Sequence, residues 1–228
     1  MNRRRPQYSE EQIAEQVVLW LQDLHWTVYQ EVQIHKSRVA DIVATQGPLL
    51  WVVETKVVFG LNAIEQAHRW LGQANYVSIG VPWFADRSGF KALLLKHLGI
   101  GLLTASQPLM NVSEVWQIEE KVKPSLNRRP WQGLRKTLCP EHQTWAKAGN
   151  ARSERYSPFK ATSRSVADFV RQHPGVTFKE MLAQVSTHYQ SSATARSSLK
   201  YWIERGKVPG VRLQQDGRLL KLYPVEVL

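Results

Sequence analysis

A single cysteine, Cys139, stands in the 228 residues, which excludes an internal disulfide and any zinc site built on several thiolates. Long apolar runs are missing as well. The longest, 92–103, is broken by Lys96 and His97, so nothing approaches the ~18–20 apolar residues that span a bilayer. No apolar core follows the charged opening Met1-Asn2-Arg3-Arg4-Arg5-Pro6, and we expect a cytoplasmic protein without a leader or membrane association. Internal repeats and low-complexity tracts are absent. Acidic residues are scarce in one stretch: 121–164 holds 11 Lys/Arg against 2 Asp/Glu.

What is present is enough to fold. A hydrophobic content of 43% with nine Trp excludes global disorder, and the length accommodates two small domains. The net charge of +11 is unevenly placed, with 10 Lys/Arg against 9 Asp/Glu in 1–110 and 20 against 10 in 111–228. A concentrated basic stretch attracts phosphate backbones and releases counterions on binding. The competing readings of that stretch are a solvated linker and a membrane-surface contact. The modules on either side favour nucleic acid.

Residues 9–110 alternate between helical and strand patterns. Ser9 is placed to cap a helix whose apolar positions are Ile13, Val17, Leu21 and Leu24, at helical spacing. Strands are expected over 26–34 and 38–45. The nearly continuous apolar run 49–59 after Gly47-Pro48 reads as a strand buried on both faces. A helix over 61–74, a strand over 76–81, a helix over 89–98 and a strand over 100–104 complete an α/β order. An edge strand is expected over 115–122. Residues 123–161 read as a basic connector, within which Trp131, Leu134, Leu138 and Trp145 form a helix or pack on a neighbour.

Residues 162–228 carry two capping-box spacings, Ser165 with Asp168 and Thr177 with Glu180, each starting a helix. A third helix is expected over 193–205, burying Ala195, Leu199, Trp202 and Ile203. Two short strands then flank Asp216-Gly217, a hairpin signal. Three helices and a hairpin make a winged helix-turn-helix, a small α+β domain. The outward face of its third helix carries Thr194, Ser197, Ser198, Lys200 and Tyr201, side chains suited to phosphate and groove contacts. Arg128, Arg129, Arg135 and Lys136 are the DNA-contact candidates of the connector.

One constellation carries chemistry. Glu54 and Lys56 are placed on one face of the apolar strand, because side chains alternate along it. Burying two charges there is costly unless they are paired or bind a metal. A tight turn at Gly47-Pro48 pairs this strand with the preceding one and brings Asp41 beside Glu54. Two carboxylates with an adjacent ammonium suit Mg²⁺ or Mn²⁺, and Lys56 is placed to act on water and on transition-state charge. The competing reading is a strand-end ion-pair cluster. Glu-x-Lys alone is uninformative, since Glu119-Glu120-Lys121 also matches it. Weaker candidates are Glu31 on the first strand, His68 on a helix surface and Cys139-Pro-Glu-His142, which offers two ligands without partners. Trp131 and Trp145 are read as packing beneath the connector rather than stacking on bases.

Residues 9–105 resemble the restriction-endonuclease-like PD-(D/E)XK phosphodiesterase superfamily. In its pattern an Asp on one strand precedes Glu-x-Lys on the next, after a helix that often bears a Glu. Asp41, Glu54 and Lys56 match it, and Glu15 is the helix candidate with Glu11 as competitor. Gln66-Ala67-His68-Arg69-Trp70 is similar to the Gln-x-x-x-Tyr motif of the branch linked to recombination and repair, with Gln66 and Trp70 on one helix face. Trp70 replaces the usual Tyr, and Ala40 stands where the name places Pro. The resemblance implies a mixed sheet flanked by helices and Mg²⁺-dependent hydrolysis of DNA, with Asp41, Glu54 and Glu15 as metal ligands and Lys56 and Gln66 as further catalytic residues.

The expected function is therefore DNA cleavage by a first domain, 1–122, on DNA positioned by a second, 162–228. The layout is similar to the nuclease subunit of some cut-and-paste transposons, and also suits a phage or defence nuclease. DNA is the expected partner, in a homodimer or a larger nucleoprotein assembly. The alternatives are a non-catalytic DNA-binding regulator and a structural subunit of a nucleoprotein complex.

Overall fold

The computed structural model describes residues 8–35, 38–82, 84, 89–106, 116–150 and 156–225. They fall into two compact units, Met1–Tyr156 and Ser157–Leu228. Unit 1 opens with α1 (Glu10–Asp23). A capping box starts it: Gln12 N–H donates to Ser9 Oγ at 3.1 Å, and Ser9 N–H donates to Gln12 Oε1 at 2.9 Å. These bonds satisfy donors that a helix start otherwise leaves bare.

Six strands follow in sheet order: β1 (Thr27–His35), β2 (Arg38–Gln46), β3 (Leu49–Thr55), β4 (Tyr76–Val81), β5 (Gly101–Ser106) and β6 (Gln117–Val122). The pairs β1/β2, β2/β3 and β5/β6 are antiparallel, while β3/β4 and β4/β5 are parallel. The parallel steps need crossovers, supplied by α2 (Leu61–His68) and α3 (Phe90–Leu98). The unit is thus α/β, with a mixed sheet between helices.

Alternation along β3 divides the core. Leu50 and Val52 pack with Ala63, Ala67 and Trp70 on the α2/α3 side, while Trp51 and Val53 pack with Ala14, Val17 and Leu21 of α1. Strict alternation fails beside the candidate site. Ala40 and Val43, three residues apart in β2, share the α2/α3 core, whereas Ile42 faces α1. Asp41 sits at this slip. Its neighbour across the β1/β2 ladder is Glu31, at φ +51°, a region costly for a non-glycine residue.

The apolar run after Gly47-Pro48 is not one strand. β3 ends at Thr55; Val57 and Val58 are exposed, and Gly60 caps α2. Hydrophobicity continues past the strand because the loop itself is apolar.

Residues 123–150 are not a free connector. They belong to unit 1 and complete both of its cores. The short helix α4 (Gly133–Lys136) puts Leu134, fully buried, into the α2/α3-side core, and Ala148 enters the α1-side core. The Asn127 side-chain amide donates to Leu71 O at 3.0 Å, and its backbone carbonyl accepts from Asn75 Nδ2 at 2.9 Å. Arg135 donates to Gly47, Pro48 and Leu49 carbonyls at 3.3, 2.8 and 2.8 Å, closing the exposed acceptors of the β2–β3 turn.

Unit 2 contains α5 (Pro158–Gln172), β7 (Val176–Thr177), α6 (Phe178–Gln184), α7 (Ser192–Glu204), β8 (Val211–Asp216) and β9 (Leu219–Pro224). Its small sheet has the order β7-β9-β8, and Gly217 at φ +57° turns the hairpin. The helix expected from Ser165 starts earlier, at Ser157, whose Oγ accepts from Lys160 N–H at 3.2 Å. Pro158 occupies the first helical position, which favours that start. Thr177 and Glu180 form their expected capping box. Trp202 is not in the buried stripe of α7; it is 36% exposed, stacked against Phe159 and Tyr201.

Candidate active site

The β2/β3 ladder runs to Ile42 opposite Val53, and one step further Asp41 and Glu54 face each other. There the strands part, and the Asp41 side chain takes over from the ladder. Its Oδ2 accepts from the Thr55 N–H at 2.8 Å and the Thr55 hydroxyl at 3.1 Å. The Asp41 N–H in turn donates to the Glu54 carboxylate.

Glu54 is buried on the α2 side, 3% exposed. The indole Nε1 of Trp70 donates to its Oε1 at 2.7 Å. Burial first, and the Asp41 carboxylate second, push the Glu54 carboxyl from its ordinary value near 4.5 up to about 8; the Trp70 bond and the Lys56 charge oppose this. A shared site thus disfavours two simultaneous negative charges unless more positive charge enters it.

Lys56 lies one residue past the end of β3. Its N–H continues the parallel pairing to Gly80 O at 2.9 Å. Its ammonium reaches Asp41 Oδ2 at 3.8 Å and Glu10 Oε2 at 3.4 Å. Its charge also acts on the Glu54 carboxyl.

The helix carboxylate at this site is Glu10. Glu15, the expected ligand, has a half-exposed side chain and pairs with Lys147 at 3.3 Å. The helical stripe explains the correction: Ile13, Ala14, Val17 and Leu21 are buried, and three or four residues before the first two lies Glu10. Extending the buried face one turn toward the N-terminus finds it. Its place in the first turn already accounts for it as a dipole partner, which is why the spacing alone passes over it.

Gln66 lies one turn before Trp70, half-buried, and its amide donates to Asn62 Oδ1 at 3.3 Å. Glu31 is 6% exposed and its carboxylate accepts from Gly149 N–H at 3.3 Å. His68 is exposed at the end of α2. Cys139 and His142 form a packed turn, with Sγ 3.0 Å from Nδ1 and the imidazole stacked on Tyr156. Burial raises the thiol pKa, away from the thiolate that a metal takes, and lowers that of the imidazole. Among the described residues, no three His, Cys, Asp or Glu are grouped so as to hold a metal.

Of the basic candidates, Arg128, Arg129 and Lys136 are exposed. Arg135 is not a free phosphate contact, since its guanidinium is spent on the β2–β3 turn. Trp131 is 59% exposed rather than buried, while Trp145 stacks edge-on against Tyr156. On α7, Ser197 is exposed with its hydroxyl donating to Ala193 O at 3.0 Å. Ser198 is half-buried, Lys200 pairs with Glu204 at 3.8 Å, and Arg205 lies over the exposed Tyr201 ring at 3.5 Å.

No family model matches the chain, and no curated protein matches it. A protein of unknown function from Silicibacter pomeroyi has a solved structure similar to this chain at TM-score 0.41 and 15% identity, over 58% of this chain and 83% of that one. No helix among the described residues is long and apolar enough to cross a membrane.

Proposed function

We propose that the chain is a metal-dependent DNA endonuclease with a restriction-endonuclease-like unit 1 and a winged helix-turn-helix unit 2. The observation that carries the reading is the juxtaposition of Asp41, Glu54 and Lys56 where β2 and β3 part, with Lys56 3.8 Å from Asp41. The donor set fits Mg²⁺ or Mn²⁺. Mg²⁺ is commonly held by one or two carboxylates, with water and substrate phosphate completing its shell, and the raised Glu54 pKa marks a carboxylate pair short of positive charge. Asp41 and Glu54 are the ligands, with Glu10 available on the same side as Lys56.

A divalent cation held there supplies Lewis acidity toward a phosphoryl oxygen. The protein's own groups do the rest. Lys56 orients the attacking water and offsets charge that grows on the phosphate. Asp41 is held by Thr55 and Glu54 by Trp70, which limits the reorganisation needed to take up a cation. Exposed Arg128, Arg129, Lys136 and Trp131 support contact of unit 1 with a phosphate backbone and bases. In unit 2, α7 presents Ser197, Lys200, Tyr201 and Arg205 as a groove-reading face.

The test is incubation of the purified chain with plasmid and linear DNA in Mg²⁺, Mn²⁺ or EDTA. Cleavage in either metal that Asp41→Ala and Glu54→Ala each abolish, with DNA affinity kept, is the expected result. Lys56→Met reduces turnover by orders of magnitude while metal binding survives. Equal cutting by wild type and both carboxylate variants sinks the proposal.

A further inference from the structure

The last stretch of unit 1 passes over the start of α1. Ala148 N–H donates to Gln30 Oε1 at 3.0 Å, Gly149 N–H donates to Glu31 Oε1 at 3.3 Å, and Lys147 pairs with Glu15 at 3.3 Å. The Ala148 methyl is buried in the α1-side core. Gly149 itself adopts φ +75°, and a Cβ built on it would stand 2.5 Å from Glu10 C, 2.6 Å from Glu10 O and 2.7 Å from Glu11 N. Those are backbone atoms, which cannot yield as the tip of a flexible side chain does. Glycine is therefore required twice here, for the left-handed backbone and for the close approach.

The backbone so approached belongs to the residue whose carboxylate meets Lys56. Glu10 lies in the first turn of its helix, where ends fray and the Ser9 capping box supplies local restraint. We propose that residues 147–149 form a strap belonging to the active site, in which Gly149 is a positioning residue that sets the Glu10 carboxylate against Lys56. The strap's anchors are themselves at the site's edge, because Glu31 lies across the ladder from Asp41 and takes the Gly149 amide. Widening the strap by one methyl pushes the first turn of α1 outward and carries Glu10 away from the ammonium. The activity consequence rests on reading Asp41, Glu54 and Lys56 as the cleavage centre; the placement of Glu10 does not.

The experiment compares Gly149→Ala, Gly149→Asn, Gln30→Ala, Glu10→Gln and the Gly149→Ala/Glu10→Gln and Gln30→Ala/Glu10→Gln double variants in the full chain. Mn²⁺ affinity is read by calorimetry, plasmid cleavage by kinetics, and the Glu10–Lys56 separation by crystallography. Gly149→Ala and Glu10→Gln each lose about tenfold in Mn²⁺ affinity or turnover, the lower range for groups that orient a metal site. Each double variant is no worse than Glu10→Gln alone, because the paired changes act through one carboxylate. Asn tolerates the left-handed backbone better than Ala, so an equal loss in Gly149→Asn assigns the effect to the added Cβ. Gln30→Ala keeps the glycine and removes one tether; its smaller loss, also absent on top of Glu10→Gln, carries the test if Gly149→Ala does not fold. Additive losses in the cycles, or a Glu10–Lys56 pair unchanged in the Gly149→Ala crystal structure, overturn the proposal. A wild type that neither binds Mn²⁺ nor cuts DNA refutes the cleavage reading instead, and the crystal comparison still decides the strap.

Discussion

Trp70 donates its indole N–H to the buried Glu54 carboxylate at 2.7 Å, so a residue of the helical crossover fixes the orientation of a strand carboxylate. A Tyr in that place has a hydroxyl to offer; the indole offers a donor alone, in a plane held by the core around it. We predict that Trp70→Phe leaves Glu54 without this partner and raises its carboxyl further. The acidic limb of the cleavage pH profile moves to higher pH, and stability in urea at pH 8 and above, where Glu54 ionises, falls by about 1.5–3 kcal/mol. An unmoved limb would separate Glu54 from the rate.

The Glu54 pKa makes metal-free stability depend on pH in an unusual direction for a carboxylate. Its folded value, about 8, lies above the ordinary value near 4.5, so between these the folded chain keeps a proton that the unfolded chain has released. Stability then falls as pH rises through the window; the contribution is full below it and lost above it. Urea titrations in EDTA at pH 5.5 and 8 read the difference. Glu54→Gln flattens it, and added Mg²⁺ stabilises the wild type more at pH 8 than at pH 5.5.

Arg135 is predicted to matter for folding rather than for DNA. Its guanidinium satisfies three carbonyls of the β2–β3 turn, and hydrogen bonds from a charged donor contribute about 1.5–3 kcal/mol. Arg135→Ala lowers the unfolding free energy measured in urea by that order, with DNA affinity kept. A chain ending at Val122 fails to fold, for it lacks Leu134 and Ala148, whereas one ending at Tyr156 folds. Circular dichroism and proteolysis of the two fragments check this; a well-folded shorter fragment would show the 123–150 segment to be dispensable.

Salt dependence separates the two surfaces. Replacing Arg128, Arg129 and Lys136 with Ala flattens the slope of log K against log salt by up to about 0.9 for each duplex phosphate that is no longer neutralised, equally for all sequences. Replacing Ser197, Ser198 and Lys200 changes preference among sequences, since base edges are read from the groove. Affinities over a salt series on several duplexes distinguish them, and a slope unchanged by the first set removes unit 1 from the DNA interface.

Much of the fold is legible where the code is local. The cap at Ser9, the capping box at Thr177 and the turn at Gly47-Pro48 place their elements correctly, whereas the box spacing at Ser165 misplaces a helix start that lies at Ser157. Asp41 beside Glu54 follows from that turn alone. What is illegible is non-local. Asn127 bridging to Asn75, Arg135 reaching the Gly47 turn and Leu134 filling the core have no periodicity, so 123–150 reads as a basic connector. Glu10 is hidden differently: an acidic residue in a first turn has a sufficient explanation in the helix dipole, which masks its place on the buried stripe.

The late arrival of Leu134, Ala148 and Gly149 sets a schedule for the molecule. A growing chain carries Asp41, Glu54 and Lys56 long before the segment that closes both faces of its sheet and seats Glu10. Domains fold as units during synthesis, and this unit is incomplete until its tail has emerged. An interrupted copy thus holds Asp41, Glu54 and Lys56 yet lacks the residues that complete both cores around them.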